Sequence, residues 1–190
     1  MFKKEIKCAG HLYPMPVVIV GANNRGRANF MTAAYCGMLN MKPPMISVGL
    51  APDHFTTQGI EENGTFSLSI PSSSMMKVTD YCGIVSGSKN NKVRTCKFNI
   101  FYGELNTAPL ISECPVNIEC SLYQAQSMGS HVLVIGKVVE CYVNEYCLTE
   151  GKPDLEKIKP LIYAGNSYYD FGEVIGRAFK IGKQLKNKQE

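Results

Sequence analysis

The sequence predicts a mainly β domain, an antiparallel barrel with helices packed on its outside. Six or more runs of strand length are rich in apolar and β-branched residues, whereas only two or three segments have helical character. Strands and helices do not alternate, and no G-x-G-x-x-G sequence follows a strand and opens a helix. These features argue against a doubly wound dinucleotide-binding fold and favour an antiparallel barrel.

The first predicted strands form a hairpin. Residues 17–20 are apolar and β-branched, and residues 23–26, NNRG, have the composition of a tight hairpin turn. Residues 29–35, NFMTAAY, form the returning strand, in which Ala33 and Ala34 leave room beside the backbone.

The next segment predicts a strand, a short helix and another strand. Pro43 and Pro44 enforce an extended entry into the strand at residues 45–50. Residues 56–63 predict a helix that Gly64 ends. Residues 65–70, TFSLSI, alternate apolar with polar side chains, as a half-buried strand does.

The centre of the chain predicts one helix followed by a polar loop. Residues 72–85 predict the helix, with an N-cap from the serines at 72–74. Residues 89–97, KNNKVRTCK, predict a solvated loop. The helix residues expected to face the core are Tyr81, Cys82, Ile84 and Val85.

Two long β-rich runs follow. In residues 116–126 the side chains of Val116, Ile118, Cys120 and Leu122 share one face. In residues 131–143, Gly136 predicts a bulge or a close backbone approach. Cys120 and Cys141 lie within apolar runs, so both are predicted to be small core residues.

The C-terminal segment predicts a helix over residues 170–186. Phe171, Val174, Ile175, Ala178 and Phe179 recur at intervals of three and four residues, and Asp170 with Glu173 resembles a capping box. The whole chain, residues 1–190, is predicted to be a single domain with this helix at its end.

Composition excludes several functional classes. The net charge is +4, but many of the basic residues lie at the two ends and form no cluster with aromatic residues, so nucleic acid is not expected as a partner. The eight cysteines form no C-x-x-C pair and predict no zinc site. Without a signal-peptide pattern or an apolar run near ~18 residues, we expect a cytoplasmic protein with reduced thiols and no membrane association.

Two segments have the residues of a ligand site. NFMTAAY offers small side chains, a hydroxyl and an amide to a planar ring, and HFTTQGI, residues 54–60, offers hydroxyls and backbone N–H groups to an anion. For a phosphate, Thr56 and Thr57 stand where a helix begins, and Ser86 follows another helix. Lys92 or Arg94 would supply a cation.

No acid–base pair, catalytic triad or metal cluster is evident, so no catalytic or metal-ligating residue is predicted. His11, His54 and His131 are far apart in the sequence, and a lone histidine is more often structural. Redox chemistry that a bound cofactor supplies would need few ionisable protein groups.

At the level of motifs, the sequence resembles the flavin reductase-like, FMN-binding split-barrel proteins, and within them the flavoredoxin type. The matching segments occur in order over about residues 13–172: PMPVVIVGA, NFMTAAY, PPMISVGLAP, HFTTQGI, YCGIVSG, HVLVIGKV and PLIYAGNSYYDFG. The resemblance implies a split β-barrel homodimer with one FMN per subunit, bound near the dimer interface.

The resemblance also implies the FMN-binding positions. The NFMTAAY backbone, which includes Met31, and the side chains of Asn29, Thr32, Ala33 and Ala34 would lie along the flavin, and Ser47 is a further cofactor-binding position. Thr56, Thr57 and Gln58 would hold the ribityl chain and phosphate, Ser86 and Lys92 would complete the phosphate site, and His131 would approach the flavin or the interface. The segment SKNNKVRTCKF departs from the family pattern, with Asn91 in place of an aspartate. The choice between Lys92 and Arg94 therefore stays open.

The function implied is electron transfer from NAD(P)H or a reduced protein donor, through bound FMN, to a protein or small-molecule acceptor. The alternatives are a flavin reductase that releases free reduced FMN, a non-catalytic flavin-binding module, and a small barrel that binds nucleic acid. Cys36 directly follows NFMTAAY, so it either relays electrons beside the flavin or is a small buried residue, and the second interpretation is favoured.

Overall fold

The computed structural model of the protein describes residues 2–7, 10 and 12–188, which leaves His11 outside the described part. The strands are β1 (Met15–Pro16), β2 (Val18–Asn24), β3 (Arg27–Ala33), β4 (Cys36–Met41), β5 (Pro44–Leu50), β6 (Thr65–Ile70), β7 (Ile100–Phe101), β8 (Leu110–Ile111), β9 (Val116–Ser127), β10 (Val132–Val143), β11 (Leu148–Thr149), β12 (Lys152–Pro153), β13 (Ile162–Ala164) and β14 (Ser167–Tyr169). The α-helices are α1 (Phe55–Asn63), α2 (Met76–Ile84), α3 (Lys92–Cys96) and α4 (Leu155–Ile158), and short 3₁₀ helices occupy Ser73–Met75, Glu145–Cys147 and Ile181–Lys188.

One antiparallel sheet forms the body of the fold. Its seven strands lie in the order β3-β2-β6-β9-β10-β5-β4, and each neighbouring pair is antiparallel. Alternate residues of β5, Ile46, Val48 and Leu50, are buried in the main core cluster with Phe66 and Val134. The mainly β, antiparallel fold predicted from the sequence is confirmed.

The predicted hairpin joins β2 to β3 through a two-residue turn. Asn24 pairs with Arg27, and the residues between them, Arg25 and Gly26, have φ angles of 52° and 71°. Positive φ at both central positions matches the right-handed twist of the flanking strands, as in a type I′ turn.

Gly136 interrupts the long pairing of β9 with β10, as predicted. The register shifts between Ile135 and Gly136. A Cβ atom at this position would overlap the ring of Phe66 and would lie 2.8 Å from the Cβ atom of Cys120. The bulge therefore brings two strands and a core aromatic ring into close contact.

The helices lie outside the sheet, and their packing brings the HFTTQGI and NFMTAAY segments together. Helix α1 packs on β2, where a Cβ atom at Gly59 would overlap the carbonyl oxygen of Asn23. Helices α2 and α3 pack on β3. This arrangement places the first turn of α1 beside the NFMTAAY strand, β3.

A three-stranded sheet in the order β1-β13-β14 joins the N-terminal and C-terminal segments. Met15 pairs with Tyr163, and Tyr168 donates a hydrogen bond of 3.0 Å to the carboxylate of Asp80 on α2. Residues far apart in the sequence thereby reach the same side of the main sheet.

Three local predictions are wrong. The polar loop at residues 89–97 contains helix α3, which Asn91 caps by accepting a hydrogen bond from the Arg94 N–H. Ile84 is 73% exposed rather than buried, whereas Thr79 and Cys82 of α2 are buried and Val78 packs against the core. Cys141 is exposed on β10, whereas Cys120 is fully buried as predicted.

The α-helix predicted over residues 170–186 is also wrong. Residues 170–177 have no regular structure, and a 3₁₀ helix begins at Ile181. Three glycines within the segment disfavour an α-helix. Ile175 and Phe179, which are 98% and 95% exposed, also lack the packing surface that stabilises an amphipathic helix.

Candidate functional site

Two adjoining cavities lie where β3, α1 and α2 meet. The first, of about 270 Å³, is called the donor cavity; it is lined by Asn29, Met31, Asp53, His54, Phe55, Thr56, Cys82, Gly83, Ile84, Val85, Ser86, Gly87 and Lys92. The second, of about 220 Å³, is called the alanine cavity; it is lined by Met31, Thr32, Ala33, Ala34, Tyr35, Gly49, Leu50, Ala51, His54, His131 and Tyr163. Met31 and His54 belong to both cavities, so the two are contiguous.

A buried hydrogen bond connects the two predicted ligand segments at the donor cavity. The Asn29 side-chain amide donates to the Thr56 hydroxyl at 2.6 Å, and the two residues are 3% and 1% exposed. Strand β3 positions the amide and the first turn of α1 positions the hydroxyl. The hydrogen bond therefore fixes the positions of the Asn29 side-chain oxygen and the Thr56 hydroxyl hydrogen beside the cavity.

The N-terminus of α1 adds backbone donors. His54 is the N-cap residue in an extended conformation, and its side chain makes no capping hydrogen bond. The first N–H groups of a helix have no partner within the helix and carry partial positive charge. Since Phe55 and Thr56 line the donor cavity, this helix end suits an anion.

Lys92 supplies a buried cation to the same cavity. Its ammonium donates hydrogen bonds to the carbonyl oxygens of Phe30 at 2.7 Å and Cys82 at 2.8 Å, and the residue is 4% exposed. An ammonium has three donors, so one remains for a ligand. Burial lowers the pKa of Lys92 below its ordinary 10.5, because desolvation disfavours the charged form.

The loop after α2 closes the donor cavity by close backbone contact. Gly87 is buried, and a Cβ atom there would overlap the side-chain oxygen of Asn29. The Arg27 guanidinium donates to the Gly87 carbonyl oxygen at 2.5 Å and lies 5.5 Å from the centroid of the Phe55 ring. A glycine is thus required at position 87, and Arg27 fixes the loop against α1.

The alanine cavity offers a flatter and less polar surface. Ala33 is the last residue of β3 and Ala34 follows it, and the centroids of the Tyr35 and His131 rings are 5.4 Å apart. His131 Nδ1 is 2.9 Å from the Ser130 hydroxyl. Tyr163 reaches this cavity from the small sheet. Small side chains beside aromatic rings suit a planar ring system.

The structure brings most of the predicted site residues to these cavities. The donor cavity includes Asn29, Met31, Thr56, Ser86 and Lys92, and the alanine cavity includes Met31, Thr32, Ala33, Ala34 and His131. Ser47, Thr57 and Gln58 line neither cavity. The Thr57 hydroxyl donates to the Ala51 carbonyl oxygen at 2.9 Å, and the Ser47 hydroxyl faces the Gly37 carbonyl oxygen at 3.4 Å.

Of the two cations left open by the sequence, Lys92 lines the donor cavity, while Arg94 is exposed and lines neither cavity. Cys36 also lies outside both cavities. Burial raises the pKa of its thiol to about 11, which leaves little thiolate near neutral pH. These placements favour Lys92 as the phosphate cation and the structural interpretation of Cys36.

Sequence reasoning missed several lining residues. Asp53 was not predicted, although it lies three residues before Thr56, and His54 and Phe55 were included only as part of the HFTTQGI segment, with no role of their own. Tyr163 comes from a distant segment, and only the pairing of β1 with β13 brings it to the site. Asp53 is an exposed acid beside the donor cavity.

Within the described ranges, no group of three or more His, Cys, Asp or Glu residues is placed to hold a metal ion. In the same part of the chain, no helix is both long and apolar enough to cross a membrane.

A family model for the flavin reductase like domain matches residues 10–172, which include every residue that lines the two cavities. The chain belongs to this flavin reductase-like family. The resemblance found in the motifs is thereby confirmed, and with it the split-barrel fold.

Solved structures place this family member close to flavoredoxins. A flavoredoxin from Methanosarcina acetivorans is 42% identical with a TM-score of 0.91, covering 96% of this chain and 100% of that one. Flavoredoxin of Desulfovibrio vulgaris (Miyazaki F) is 35% identical with a TM-score of 0.90, covering 95% and 100%. An FMN-binding protein from Thermus thermophilus, with bound 1-cyclohex-2-enone, is 25% identical with a TM-score of 0.78, covering 93% and 99%.

A relative from Aeropyrum pernix, an uncharacterized protein, is 30% identical over 158 residues, which are 82% of this chain. The matched region spans 59% of the length of that relative. That relative is therefore considerably longer than the region shared with this flavin reductase-like chain.

Proposed function

We propose that this protein is a flavoredoxin-like redox protein that binds FMN and passes electrons through it. In this proposal the electrons come from NAD(P)H or from a reduced protein donor and go to a protein or small-molecule acceptor. FMN as the cofactor is supported by the flavoredoxin and FMN-binding relatives. The observation that carries the proposal is the contact between the donor cavity and the alanine cavity at Met31 and His54.

The donor cavity fits a phosphate by the chemistry of its donors. It combines the start of α1, the Thr56 hydroxyl, Ser86 and the ammonium of Lys92. A phosphate monoester has about two negative charges and several acceptor oxygens, so it can accept from backbone N–H groups, hydroxyls and a cation at once. The hydrogen bond from Asn29 orients the Thr56 hydroxyl for this purpose.

The alanine cavity fits the ring end of the same cofactor. Ala33 and Ala34 allow a planar ring to approach the backbone of β3, while Tyr35 and His131 provide aromatic surface beside it. When bound, FMN supplies the one- and two-electron chemistry that the side chains of this site lack. The role of the protein residues is to hold the phosphate, orient the ring and exclude water from its buried side.

A homodimer is part of this proposal. Strand β4 is the last strand of the large sheet, and Met38, Leu39 and Met41 on it are 58%, 52% and 72% exposed. Tyr35 precedes this strand directly and lines the alanine cavity. A second copy packed on β4 would cover apolar surface and narrow the opening of that cavity. We further propose a cytoplasmic location.

The test begins with the visible spectrum of the purified protein and identification of the released cofactor. We expect bound FMN, and bleaching of its absorbance when NADH, NADPH or a reduced protein donor is added anaerobically. A folded protein that takes up no FMN at micromolar concentration contradicts the proposal. Bleaching with loss of reduced FMN from the protein would instead indicate a flavin reductase, and binding without bleaching by any donor would indicate a non-catalytic module.

A further inference from the structure

Two cysteine thiols face each other beside the donor cavity. Cys82 is on α2 and lines that cavity, Cys96 ends α3, and their Sγ atoms are 4.0 Å apart. A disulfide bond is about 2.05 Å long, so the sulfur atoms need to approach by only about 2 Å. We infer that Cys82 and Cys96 are a reversible thiol–disulfide pair that controls how firmly the phosphate end of the cofactor is held.

The covalent ring that this bond would close contains six of the residues that line the donor cavity. Between the two cysteines lie residues 83–87 and Lys92, all of which line the cavity. The ammonium of Lys92 already donates to the Cys82 carbonyl oxygen at 2.8 Å. Joining the sulfur atoms would restrict motion of the loop and of Lys92 together, and would favour the conformation that surrounds a phosphate.

The two thiols differ in their accessibility. Cys82 is 1% exposed, whereas Cys96 is partly exposed and lines an outer apolar groove of about 330 Å³ with Tyr81 and Ile84. A small molecule can therefore reach Cys96 without entering the cofactor cavity. Cys96 is the entry thiol and Cys82 is the resolving thiol.

The oxidant is a low-molecular-weight disulfide. The Cys96 thiol loses its proton, its sulfur attacks one sulfur of that disulfide, and the S–S bond breaks to release one small thiol. The sulfur of Cys82, after losing its proton, then attacks Cys96 Sγ and displaces the second small thiol. Two protein thiols are oxidised to one disulfide, one small disulfide is reduced to two thiols, and the two protons end on those thiols.

The environment makes this reaction slow at neutral pH. Burial raises the pKa of Cys82 to about 12, an effect that Cys96 increases and Lys92 opposes, and burial also raises the pKa of Cys96. Since the thiolate is the attacking species, the rate should rise as pH increases. We therefore expect the disulfide to form during sustained exposure to an oxidant, and the two thiols to stay reduced during a brief exposure.

The experiment uses the complete protein loaded with FMN, in wild-type form and as the Cys96→Ser and Cys141→Ser variants. Cys96→Ser removes the entry thiol outside both cavities, and Cys141→Ser removes an exposed cysteine of β10 as a matched control. Each protein is reduced, freed of reductant, and incubated with oxidised glutathione. The readouts are a disulfide-linked peptide pair containing Cys82 and Cys96, and the rate at which FMN leaves before and after oxidation.

We expect the linked peptides in the wild type and in Cys141→Ser, with FMN release slowed about threefold as expected for a rigidified loop. In Cys96→Ser, neither the link nor the slowing should appear. If the link is absent in the wild type, or if a stable glutathione adduct remains on Cys96, the proposal that Cys82 and Cys96 form a disulfide is wrong. A link without slower FMN release overturns its control of the cofactor.

The control of the cofactor rests on the proposed function, but formation of the link does not. The peptides can be measured in protein prepared without FMN. If no FMN binds and the link still forms, the proposed function fails while the thiol pair stands. If FMN binds and no link forms, the proposed function stands while the thiol–disulfide pair fails.

Discussion

The side chains of Asn29 and Thr56 form a buried hydrogen bond of 2.6 Å between strand β3 and the first turn of helix α1. This bond joins the two sequence segments that were predicted to bind a ring and an anion. It fixes the orientation of the Thr56 hydroxyl toward the donor cavity. The two neighbouring threonines, Thr56 and Thr57, are equally buried at 1% exposure, which makes them a matched pair for experiments.

Thr56→Val should weaken FMN binding about 10- to 150-fold, because a charge-assisted hydrogen bond to phosphate contributes about 1.5–3 kcal/mol. Thr57→Val removes a hydroxyl whose hydrogen bond goes to Ala51 and which lines neither cavity. Both variants should lose about 1–2 kcal/mol of folding stability through an unsatisfied partner. Titration with FMN and chemical unfolding measure the two effects. Equal loss of affinity in both variants would remove Thr56 from the site.

Gly87→Ala should abolish tight FMN binding. The added methyl group would overlap the side-chain oxygen of Asn29, so either the loop shifts or Asn29 turns away from Thr56. Overpacking of this kind costs about 1–3 kcal/mol of stability. Gly172→Ala is the control, since a Cβ atom there meets nothing within 4 Å. An FMN dissociation constant that is unchanged in Gly87→Ala would show that the loop does not close on the phosphate.

The charge of Lys92 predicts how FMN binding depends on pH. Burial places the pKa of Lys92 below its ordinary 10.5. Only the ammonium form has the positive charge that attracts a phosphate, and a third N–H beyond the two that donate to Phe30 and Cys82. FMN affinity should therefore fall as pH rises from neutral through that lowered pKa. Lys92→Ala should bind FMN about 1–3 kcal/mol more weakly at neutral pH and lack this part of the pH dependence.

The stability of the FMN-free protein should respond to Lys92 in the opposite direction. Between the lowered folded pKa and 10.5, the unfolded chain binds more protons at this residue than the folded chain, so this contribution to stability increases with pH. The difference between wild type and Lys92→Ala isolates it from other titrating groups. Arg94→Ala, which changes an exposed neighbour outside both cavities, should leave both profiles as in the wild type.

Much of the site was predictable because its donors lie in short segments with local signals. The threonines lie in the first turn of a helix that Gly64 ends at φ 65°, and the NFMTAAY strand follows a hairpin turn of recognisable composition. Such signals extend over only a few residues, so they can be recognised in the sequence without knowledge of the tertiary structure. The same reasoning located the bulge at Gly136.

The remaining features depend on contacts that a linear pattern does not encode. Tyr163 reaches the alanine cavity only through pairing of β1 with β13. Helix α3 has five residues, which is too short for helical periodicity, and its cap at Asn91 looks like ordinary loop chemistry. The C-terminal pattern indicated an amphipathic helix, but a periodic pattern does not provide the surface on which such a helix must pack.

Cys36→Ser should leave flavin reduction unchanged. Cys36 lines neither cavity, and burial holds its thiol pKa near 11, so it offers neither contact with the ring nor a ready thiolate. Anaerobic stopped-flow measurement of flavin bleaching, with the donor that reduces the wild type, tests this. A slower rate in Cys36→Ser with unchanged FMN affinity would restore the electron-relay interpretation.

The exposed edge of β4 predicts how the protein assembles. Met38→Asp places a charge in the middle of the edge strand β4, on apolar surface that the proposed homodimer would bury. An unpaired buried charge costs several kcal/mol. We expect light scattering to report a dimer for the wild type and a monomer for Met38→Asp, with intact folding by circular dichroism. Met76→Asp, at a methionine on α2 that is 48% exposed, should remain dimeric. Tyr35 directly precedes β4 and lines the alanine cavity, so the monomeric variant should also release FMN faster than the dimer. If Met38→Asp is monomeric and releases FMN at the wild-type rate, dimerisation does not contribute to FMN binding.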